Sequence, residues 1–248
     1  MKRILLRWYR TGQYLKAVVN RAGTVRGSEH MVDDERPRDV PGPSESTGSL
    51  VREGRLVRLR SHVPANRAAF QRWYADEEIA HLLRHDQEPL NAIQSRGYFD
   101  TIILPLSARG LCYAVHETDT DRLIGTTALT DIPPHGTSAL FRIVIGEKDC
   151  WGKGYGTEAT RLVVTEAFER HGIRQVRLEV FRHNPRAIAA YHRVGFRQTG
   201  EHIETVGWRR TELHVIEMVL DQAEFTVNYE QHDPVIIQPT VSTSRDGV

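Results

Sequence analysis

The sequence predicts an α/β (α+β) protein with a central mixed, mostly antiparallel sheet flanked by helices. The first observation is a strand, a loop, a helix and a second strand in succession between Phe141 and Val180, which predicts one parallel βαβ unit with a right-handed crossover. The second is three strand-like runs before residue 146 that short turns connect, and the third is two such runs after residue 195. Short connections favour antiparallel neighbours, so the βαβ unit should add the parallel pair.

The individual elements follow from the spacing of apolar residues. Alternating apolar residues predict strands, and apolar residues three or four positions apart predict helices. Trp73 and Tyr74 are interpreted as core residues of the first helix. In chain order the predicted elements are a strand near 56–59 in a fold that begins near Arg55, a helix from Pro64 through Tyr74, a helical region from Ile79 toward Ile102, strands at 111–116, 123–129 and 139–145, a helix over 159–168, a strand at 176–180, a helix over 185–194, and strands at 196–204 and 213–220.

Length and composition exclude several classes of protein. A chain of 248 residues is long enough for one sizeable domain with tails. Its net charge of +1 offers no basis for a nucleic-acid partner, and no apolar run approaches the roughly 20 residues of a membrane span. Two cysteines, Cys112 and Cys150, are too few for a disulfide framework and are expected to be buried thiols, which favours a cytoplasmic protein.

The predicted domain covers residues 50–221. Residues 1–49 combine a basic segment with an acidic and then Pro-, Gly-, Ser- and Thr-rich stretch that predicts a disordered linker. Arg7 and Arg10 interrupt the apolar residues of the basic segment, which makes it a poor signal peptide. Residues 222–248 are polar and without periodicity, so we expect a mobile tail.

A glycine-rich loop separates the strand that ends near Ile145 from the helix that follows. Gly152, Gly154 and Gly156 alternate with other residues directly before the helical pattern. Glycine permits positive φ and close backbone approach, so successive N–H groups can converge on an anion at a helix N-terminus. The loop therefore predicts a phosphate site, although an ordinary glycine turn has the same composition.

Two separated motifs stand out: Ile143-Val144-Ile145-Gly146 followed by Trp151-Gly152-Lys153-Gly154-Tyr155-Gly156-Thr157-Glu158-Ala159, and then Asn184, Ala187, Tyr191, Gly195 and Phe196. Together they resemble the acetyl-CoA site of the GNAT acetyltransferase superfamily. The similarity spans about residues 55–220 and is greatest to the branch that contains bacterial ribosomal-protein N-terminal acetyltransferases and spermidine acetyltransferases. Two positions depart from the family pattern: Trp151 stands where Gln or Arg is usual, and Leu140 stands where many relatives have an acidic residue.

This resemblance implies a GNAT fold and direct transfer of an acetyl group from acetyl-CoA to a primary amine. The acceptor would be a protein N-terminus, a polyamine or a small-molecule amine, and no metal is expected. A homodimer is compatible with the resemblance. The residues that it assigns to acetyl-CoA are Ile143, Val144 and Ile145 for pantetheine, Trp151, Gly152, Lys153, Gly154, Tyr155, Gly156 and Thr157 for the pyrophosphate, and Asn184 for the pantetheine arm.

Tyr191 is the candidate general acid. It lies seven residues after Asn184, which also fits a helix cap, so both can face the same side of one helix. The residues alone would favour a packed core tyrosine, and it is the resemblance that favours a catalytic role.

The general base stays open at this stage. Glu147 ends the central strand and Glu179 lies on the next strand, so both are candidates. Asp131, His135 and His183 lie near predicted strand ends. Each of these residues also fits a solvated surface charge.

Two other functions have to be weighed. Residues 154–159 also fit a dinucleotide-binding pattern, with Glu179 about 20 residues on as a ribose-binding acid. Two observations argue against a doubly wound sheet of this kind. Five residues separate the strand from the loop, and too few helices follow the loop. A GNAT-fold protein that binds CoA without catalysis is the other alternative, and the sequence leaves it open.

Overall fold

The computed structural model describes residues 47–134, 136–206 and 210–225. Within them, eight strands form one sheet in the order β1-β2-β3-β4-β5-β6-β8-β7. The strands are β1 Leu50–Glu53, β2 Val57–Ser61, β3 Cys112–Glu117, β4 Leu123–Thr130, β5 Ser138–Ile145, β6 Gln175–Phe181, β7 Arg197–Val206 and β8 Thr211–Asp221. The α-helices are α1 Arg67–Tyr74, α2 Glu77–Leu83, α3 Ala92–Tyr98, α4 Leu104–Ala108, α5 Tyr155–Glu169 and α6 Pro185–Val194.

Strand pairing confirms the predicted mixed sheet. Among the described strands, β5 and β6 form the parallel pair, and every other neighbouring pair is antiparallel. The pairing of β5 with β6 extends only from Ser138 to Leu140. Beyond Leu140, β5 stays paired with β4 as far as Ile145, and β6 stays paired with β8 as far as Phe181. The sheet is therefore split between β5 and β6 over the second half of both strands.

Helices cover both faces of the sheet and form two apolar cores. On one face, α5 and α6 bury residues such as Leu162 and Val194 against the strands. On the other face, Phe70 and Trp73 of α1 pack with Cys112 of β3 and with residues of α2 and α3. Both predicted core aromatics of α1 are buried, and the thiols of Cys112 and Cys150 are buried and free.

The helical region predicted from Ile79 toward Ile102 is not continuous, so that prediction is wrong in its extent. Asp76 caps α2, which ends at Leu83, and α3 starts after a turn. Asn91 caps α3 because its side chain accepts a hydrogen bond from the backbone of Gln94. The intervening residues 84–91 therefore form an independent turn between two separately capped helices.

Both ends of the described domain extend beyond the predicted elements. β1 precedes the expected start near Arg55, and its Arg52 forms a buried ion pair with Glu166 of α5 (Nε to Oε1, 2.5 Å). Residues 222–225 form a helical turn in which Phe225 packs on Phe168, with ring centroids 5.6 Å apart. Neither short segment has a long enough apolar period to be recognised from sequence. The remainder of the two predicted tails, residues 1–46 and 226–248, lies outside the described residues.

Candidate active site

A cleft of about 190 Å³ opens where β5 and β6 diverge. Its walls come from β5, the glycine-rich loop, the start of α5, β6, α6, and α2 with the turn after it. The sequence-predicted site residues that line it are Ile143, Ile145, Trp151, Gly152, Gly154, Gly156, Thr157, Glu179, Asn184 and Tyr191. Four others are not among the lining residues: Val144, Glu147, Lys153 and Tyr155.

The glycine-rich loop has the backbone geometry expected of a phosphate cradle at two of its three glycines. Gly152 has φ +76° and Gly154 has φ +90°, both in the left-handed region that favours glycine. Gly154 is also the N-cap residue of the 15-residue helix α5. Gly156 lies inside α5, and a Cβ atom there would meet Ile145 Cγ1 at an ordinary contact distance of 3.6 Å. The backbone thus requires glycine at positions 152 and 154 but not at 156.

Trp151, the departure from the family pattern, connects the loop to the strand beside it. Its indole N–H donates to the carbonyl oxygen of Ile145 at 2.6 Å, which joins the first loop residue to the end of β5. The guanidinium of Arg186 on α6 lies 3.7 Å from the centre of the indole ring, within range of a cation–π contact. A positive charge is therefore held beside the loop by α6 instead of by residue 151.

Sequence reasoning missed two cations that line the cleft, Arg186 and Arg193. Both lie on α6, whose first turn belongs to the second predicted motif. Arg186 comes two positions after Asn184, so a search for cations next to the motif would have found it. Arg193 lies near the end of the same helix and had no comparable signal.

Asn184 and Tyr191 lie on the same side of α6, as their spacing predicts. The Asn184 side chain accepts a hydrogen bond from the backbone N–H of Ala187 at 3.2 Å, so the predicted cap is present. The Tyr191 ring packs edge-on against Phe141 and Phe196, with centroids 6.5 and 5.9 Å away. Burial raises the pKa of Tyr191, so its phenol stays protonated at neutral pH.

Glu147 lies outside the cleft and its carboxylate has strong partners. It accepts hydrogen bonds from Trp73 Nε1 at 2.8 Å, from Arg122 Nη2 at 2.9 Å and from Arg72. Burial opposes ionisation, but these hydrogen bonds outweigh it and lower the pKa of Glu147. A carboxylate with this environment is a weak proton acceptor, which argues against Glu147 as the base.

The other base candidates separate by position. Asp131 and His183 do not line the cleft, and His183 hydrogen-bonds the carbonyl oxygen of His81 through Nε2 at 2.9 Å. His135 lies outside the described residues. Among the candidates that the structure describes, Glu179 is the carboxylate that lines the cleft.

A histidine that the sequence did not single out lies next to Glu179. His85, in the turn after α2, has Nε2 3.7 Å from Glu179 Oε2 and Nδ1 2.7 Å from Glu204 Oε2. His85 lies in the turn between α2 and α3, Glu179 lies on β6, and Glu204 lies on β7, 119 positions after His85. No local spacing could predict that contact.

Two properties of the described residues bear on the class of site. No group of three or more His, Cys, Asp or Glu side chains in this part of the chain could hold a metal ion. No helix in the same part is both long and apolar enough to cross a membrane. A cytoplasmic location and a homodimer stay predictions.

Comparison with known proteins shows the same fold. A family model described as an acetyltransferase (GNAT) domain matches residues 56–197. An acetyltransferase (GNAT family) from Bacillus anthracis superimposes with a TM-score of 0.61 at 11% identity, over 71% of this chain and 100% of that one. A spermidine N-acetyltransferase from Vibrio cholerae, solved in complex with CoA and spermine, has a TM-score of 0.60 at 19% identity, over 70% and 99% of the two chains. A GCN5-related N-acetyltransferase from Brucella melitensis has a TM-score of 0.57 at 20% identity, over 73% and 82%.

Proposed function

Since the chain belongs to the GNAT acetyltransferase family, we propose that it transfers an acetyl group from acetyl-CoA directly to a primary amine. The observation that carries the proposal is the split between β5 and β6. That split brings the glycine-rich loop, Asn184, Tyr191 and Glu179 to one cleft. A cofactor site and ionisable side chains in one opening are what acetyl transfer requires.

The cofactor would occupy the β5 side of the cleft. Beyond Leu140 the edge of β5 that faces β6 has no strand partner among the described strands, so its backbone can pair with the amides of pantetheine. The amides of the loop around Gly152 and Gly154 would bind the pyrophosphate, and the charges of Arg186 and Arg193 favour the same anion. The Vibrio cholerae structure contains CoA, which supports acetyl-CoA as the donor.

The reaction would begin with a neutral amine whose nitrogen attacks the thioester carbonyl carbon. Attack leaves a positive charge on that nitrogen, which loses a proton as the tetrahedral oxyanion collapses. The carbon–sulfur bond breaks, and the departing thiolate takes up a proton. We assign that proton donation to Tyr191. Its phenol is protonated at neutral pH, so it has a proton to give to sulfur, whose thiol has a reference pKa of about 8.5, and a proton lost by the acetylated nitrogen restores the phenol.

The acceptor would approach from the side of Glu179, whose carboxylate suits a cationic amine. Polyamines belong among the acceptors to be tested, because one structural neighbour is a spermidine N-acetyltransferase. Protein N-termini and small-molecule amines should also be tested, because the sequence resembles the family branch that contains ribosomal-protein N-terminal acetyltransferases.

The test is release of free thiol from acetyl-CoA against a panel of peptides, polyamines and aminoglycosides. We expect acceptor-dependent release, together with acetyl-CoA binding by calorimetry. Binding without release for any acceptor would instead support a CoA-binding protein that does not catalyse. A doubly wound dinucleotide fold is contradicted by the antiparallel sheet, so NAD should not raise the melting temperature whereas CoA should.

A further inference from the structure

We infer that His85 is the base that deprotonates the acceptor amine, that Glu204 orients its imidazole, and that Glu179 holds the ammonium group beside it. This inference rests on the proposed acetyl transfer and identifies the residues on the acceptor side of the same cleft.

The structure holds the His85 ring in place at the cleft. Its side chain is only 13% exposed, and the ring packs edge-on against Phe181 with centroids 5.2 Å apart. Both residues line the cleft, as do Glu179 and Tyr191. The imidazole therefore faces the reaction space from the wall formed by α2 and β6.

Hydrogen bonding to Glu204 determines which nitrogen of His85 can accept a proton. Burial would raise the pKa of Glu204, but hydrogen bonds and charge interactions with His85 and His202 lower it to about 2, so this carboxylate is ionised at neutral pH. An ionised carboxylate can only accept, so the hydrogen on the 2.7 Å contact belongs to His85 Nδ1. In the neutral ring this leaves the lone pair on Nε2, the atom nearer to Glu179.

The gap between His85 and Glu179 fits an amine nitrogen. Nε2 and Oε2 are 3.7 Å apart, which is too long for a direct hydrogen bond. A nitrogen to one side of the line that joins them can lie about 2.9 Å from both atoms, the usual length of a hydrogen bond. An ammonium group there would donate one hydrogen to the Glu179 carboxylate and another to the imidazole.

The proton transfer balances without any further reactant. An N–H bond of the ammonium breaks, its proton moves to His85 Nε2, and the electron pair stays on nitrogen to attack the thioester carbon. The imidazolium is stabilised by Glu204 and returns the proton to solvent after transfer. An imidazole has a reference pKa about 2 units above that of a carboxylate, which makes it the better acceptor of the two types of group.

The carboxylate of Glu204 is itself held from both sides. His202 Nε2 lies 3.1 Å from its other oxygen, and His202 Nδ1 lies 3.1 Å from Glu217 Oε1. The exposed fraction of the side chains rises from 13% at His85 through 28% at His202 to 44% at Glu217. Glu204 thus occupies one orientation, anchored toward the surface, which is what an orienting residue needs.

The titratable and charged groups around His85 come from three elements. Glu179 of β6 and Glu204 of β7 face the ring directly, and His202 acts through Glu204. Arg84 and Asp86 flank His85 in its own turn and pair with each other, Nε to Oδ1 at 2.9 Å. The two facing carboxylates both favour the imidazolium over the neutral ring.

The principal test is His85→Gln, measured by acceptor-dependent thiol release across pH. Wild-type kcat/KM should rise with pH as the imidazole loses its proton, and the variant should lose about 10²- to 10⁴-fold of kcat/KM at neutral pH. Acetyl-CoA affinity by calorimetry should stay at the wild-type value, which also shows that the variant is folded.

A second variant separates base chemistry from simple packing. Glu204→Gln keeps a hydrogen-bond acceptor for Nδ1 but removes the negative charge, so the acidic limb of the kcat/KM profile should move to lower pH. A purely structural role for Glu204 would change the height of the profile and leave its limb in place. His214→Gln is the matched control, since His214 also pairs with a glutamate, Glu201, at 3.4 Å but does not line the cleft.

The outcomes distinguish the two levels of the proposal. Full activity and a wild-type pH profile in His85→Gln would overturn the inference while leaving acetyl transfer intact. An equal loss in His214→Gln would also overturn it, because the effect would then not be specific to the cleft. Absence of thiol release by the wild-type chain with every acceptor would overturn the proposed function and the inference with it.

Discussion

The two walls of the cleft are built in different ways. The cofactor wall, made of β5, the glycine-rich loop and the first turns of α5 and α6, comes from one stretch of chain between residues 138 and 194. The acceptor wall is made of His85 and Glu179, and Glu204 lies behind His85 outside the cleft; these three residues are at least 25 positions apart in the chain. The first wall offers mainly backbone amides, and the second offers ionisable side chains.

This difference predicts that the cofactor wall mainly binds CoA and that the acceptor wall mainly supplies the groups that transfer protons. Backbone geometry at Gly152 and Gly154 follows from local conformational rules, so the cofactor wall can be recognised by residue type and spacing. The acceptor wall depends on contacts such as His85 with Glu204, which exist only after β7 joins the sheet. Variants in the two walls should therefore alter different measured quantities.

Apart from the His85 variant, the largest expected effect belongs to Tyr191, which we place between the two walls. Tyr191→Phe keeps the ring and removes the phenol proton, so kcat should fall by about 10² or more with little change in acetyl-CoA affinity. The loss should shrink with an acyl donor whose thiol has a lower pKa, because that leaving group needs less protonation.

Tyr113→Phe provides the matched control for Tyr191. Its buried hydroxyl donates to the carbonyl oxygen of Gly110, away from the cleft, so this variant should lose about 1 kcal/mol of stability and keep its kcat. Measurement of kcat and melting temperature for both variants distinguishes a general-acid role of the Tyr191 hydroxyl from a purely structural one. Full activity of Tyr191→Phe at saturating acetyl-CoA would rule out the acid role.

The next effect tests the cofactor wall. Gly154→Val places a β-branched residue at φ +90°, and strain of about 1–3 kcal/mol should weaken CoA binding by roughly 10- to 100-fold. Gly156→Ala, with its ordinary helical backbone, should weaken binding far less. Calorimetry with CoA measures both, and equal affinities in the two variants would show that positive φ at Gly154 is not what the loop needs.

A smaller effect is expected at the acceptor wall. Glu179→Gln removes a charge that we assign to the substrate ammonium, so KM for the amine should rise about 5- to 10-fold while CoA affinity stays constant. The glutamine oxygen still accepts a hydrogen bond, so the size reflects the difference between a charge-assisted and a neutral hydrogen bond, about 1 kcal/mol. A change in CoA affinity with an unchanged KM for the amine would show that Glu179 belongs to the cofactor wall and not to the acceptor wall.

The smallest effect should come from removal of residues 1–46. All described cleft residues lie between Leu82 and Arg193, and Ser49 already pairs with Ser61 through a 2.9 Å backbone hydrogen bond. A chain that begins at residue 47 should therefore melt cooperatively and bind acetyl-CoA as the full chain does. Loss of either property would show that the removed segment contributes to one of the walls.

Several features of the molecule follow from the sequence by itself. The order of strands and helices after residue 110, the cap at Asn184, the stop at Gly195 with φ +110° and the two left-handed loop glycines all depend on local periodicity or on a single residue's conformational range. These signals are short-range, so they can be recognised without the fold. The resemblance to the GNAT family depends on the same residues.

Other features were decided only by the tertiary structure. β1 is a strand because it pairs with β2, and its Arg52 reaches Glu166 across 114 positions. Trp151 is acceptable at the loop because Ile145 and Arg186 contact its indole. The same holds for His85, which sequence analysis placed in a helix and the structure places at the cleft beside Glu179. Contacts of this kind carry no local pattern, because their energy comes from side chains that only the completed sheet brings within hydrogen-bonding distance.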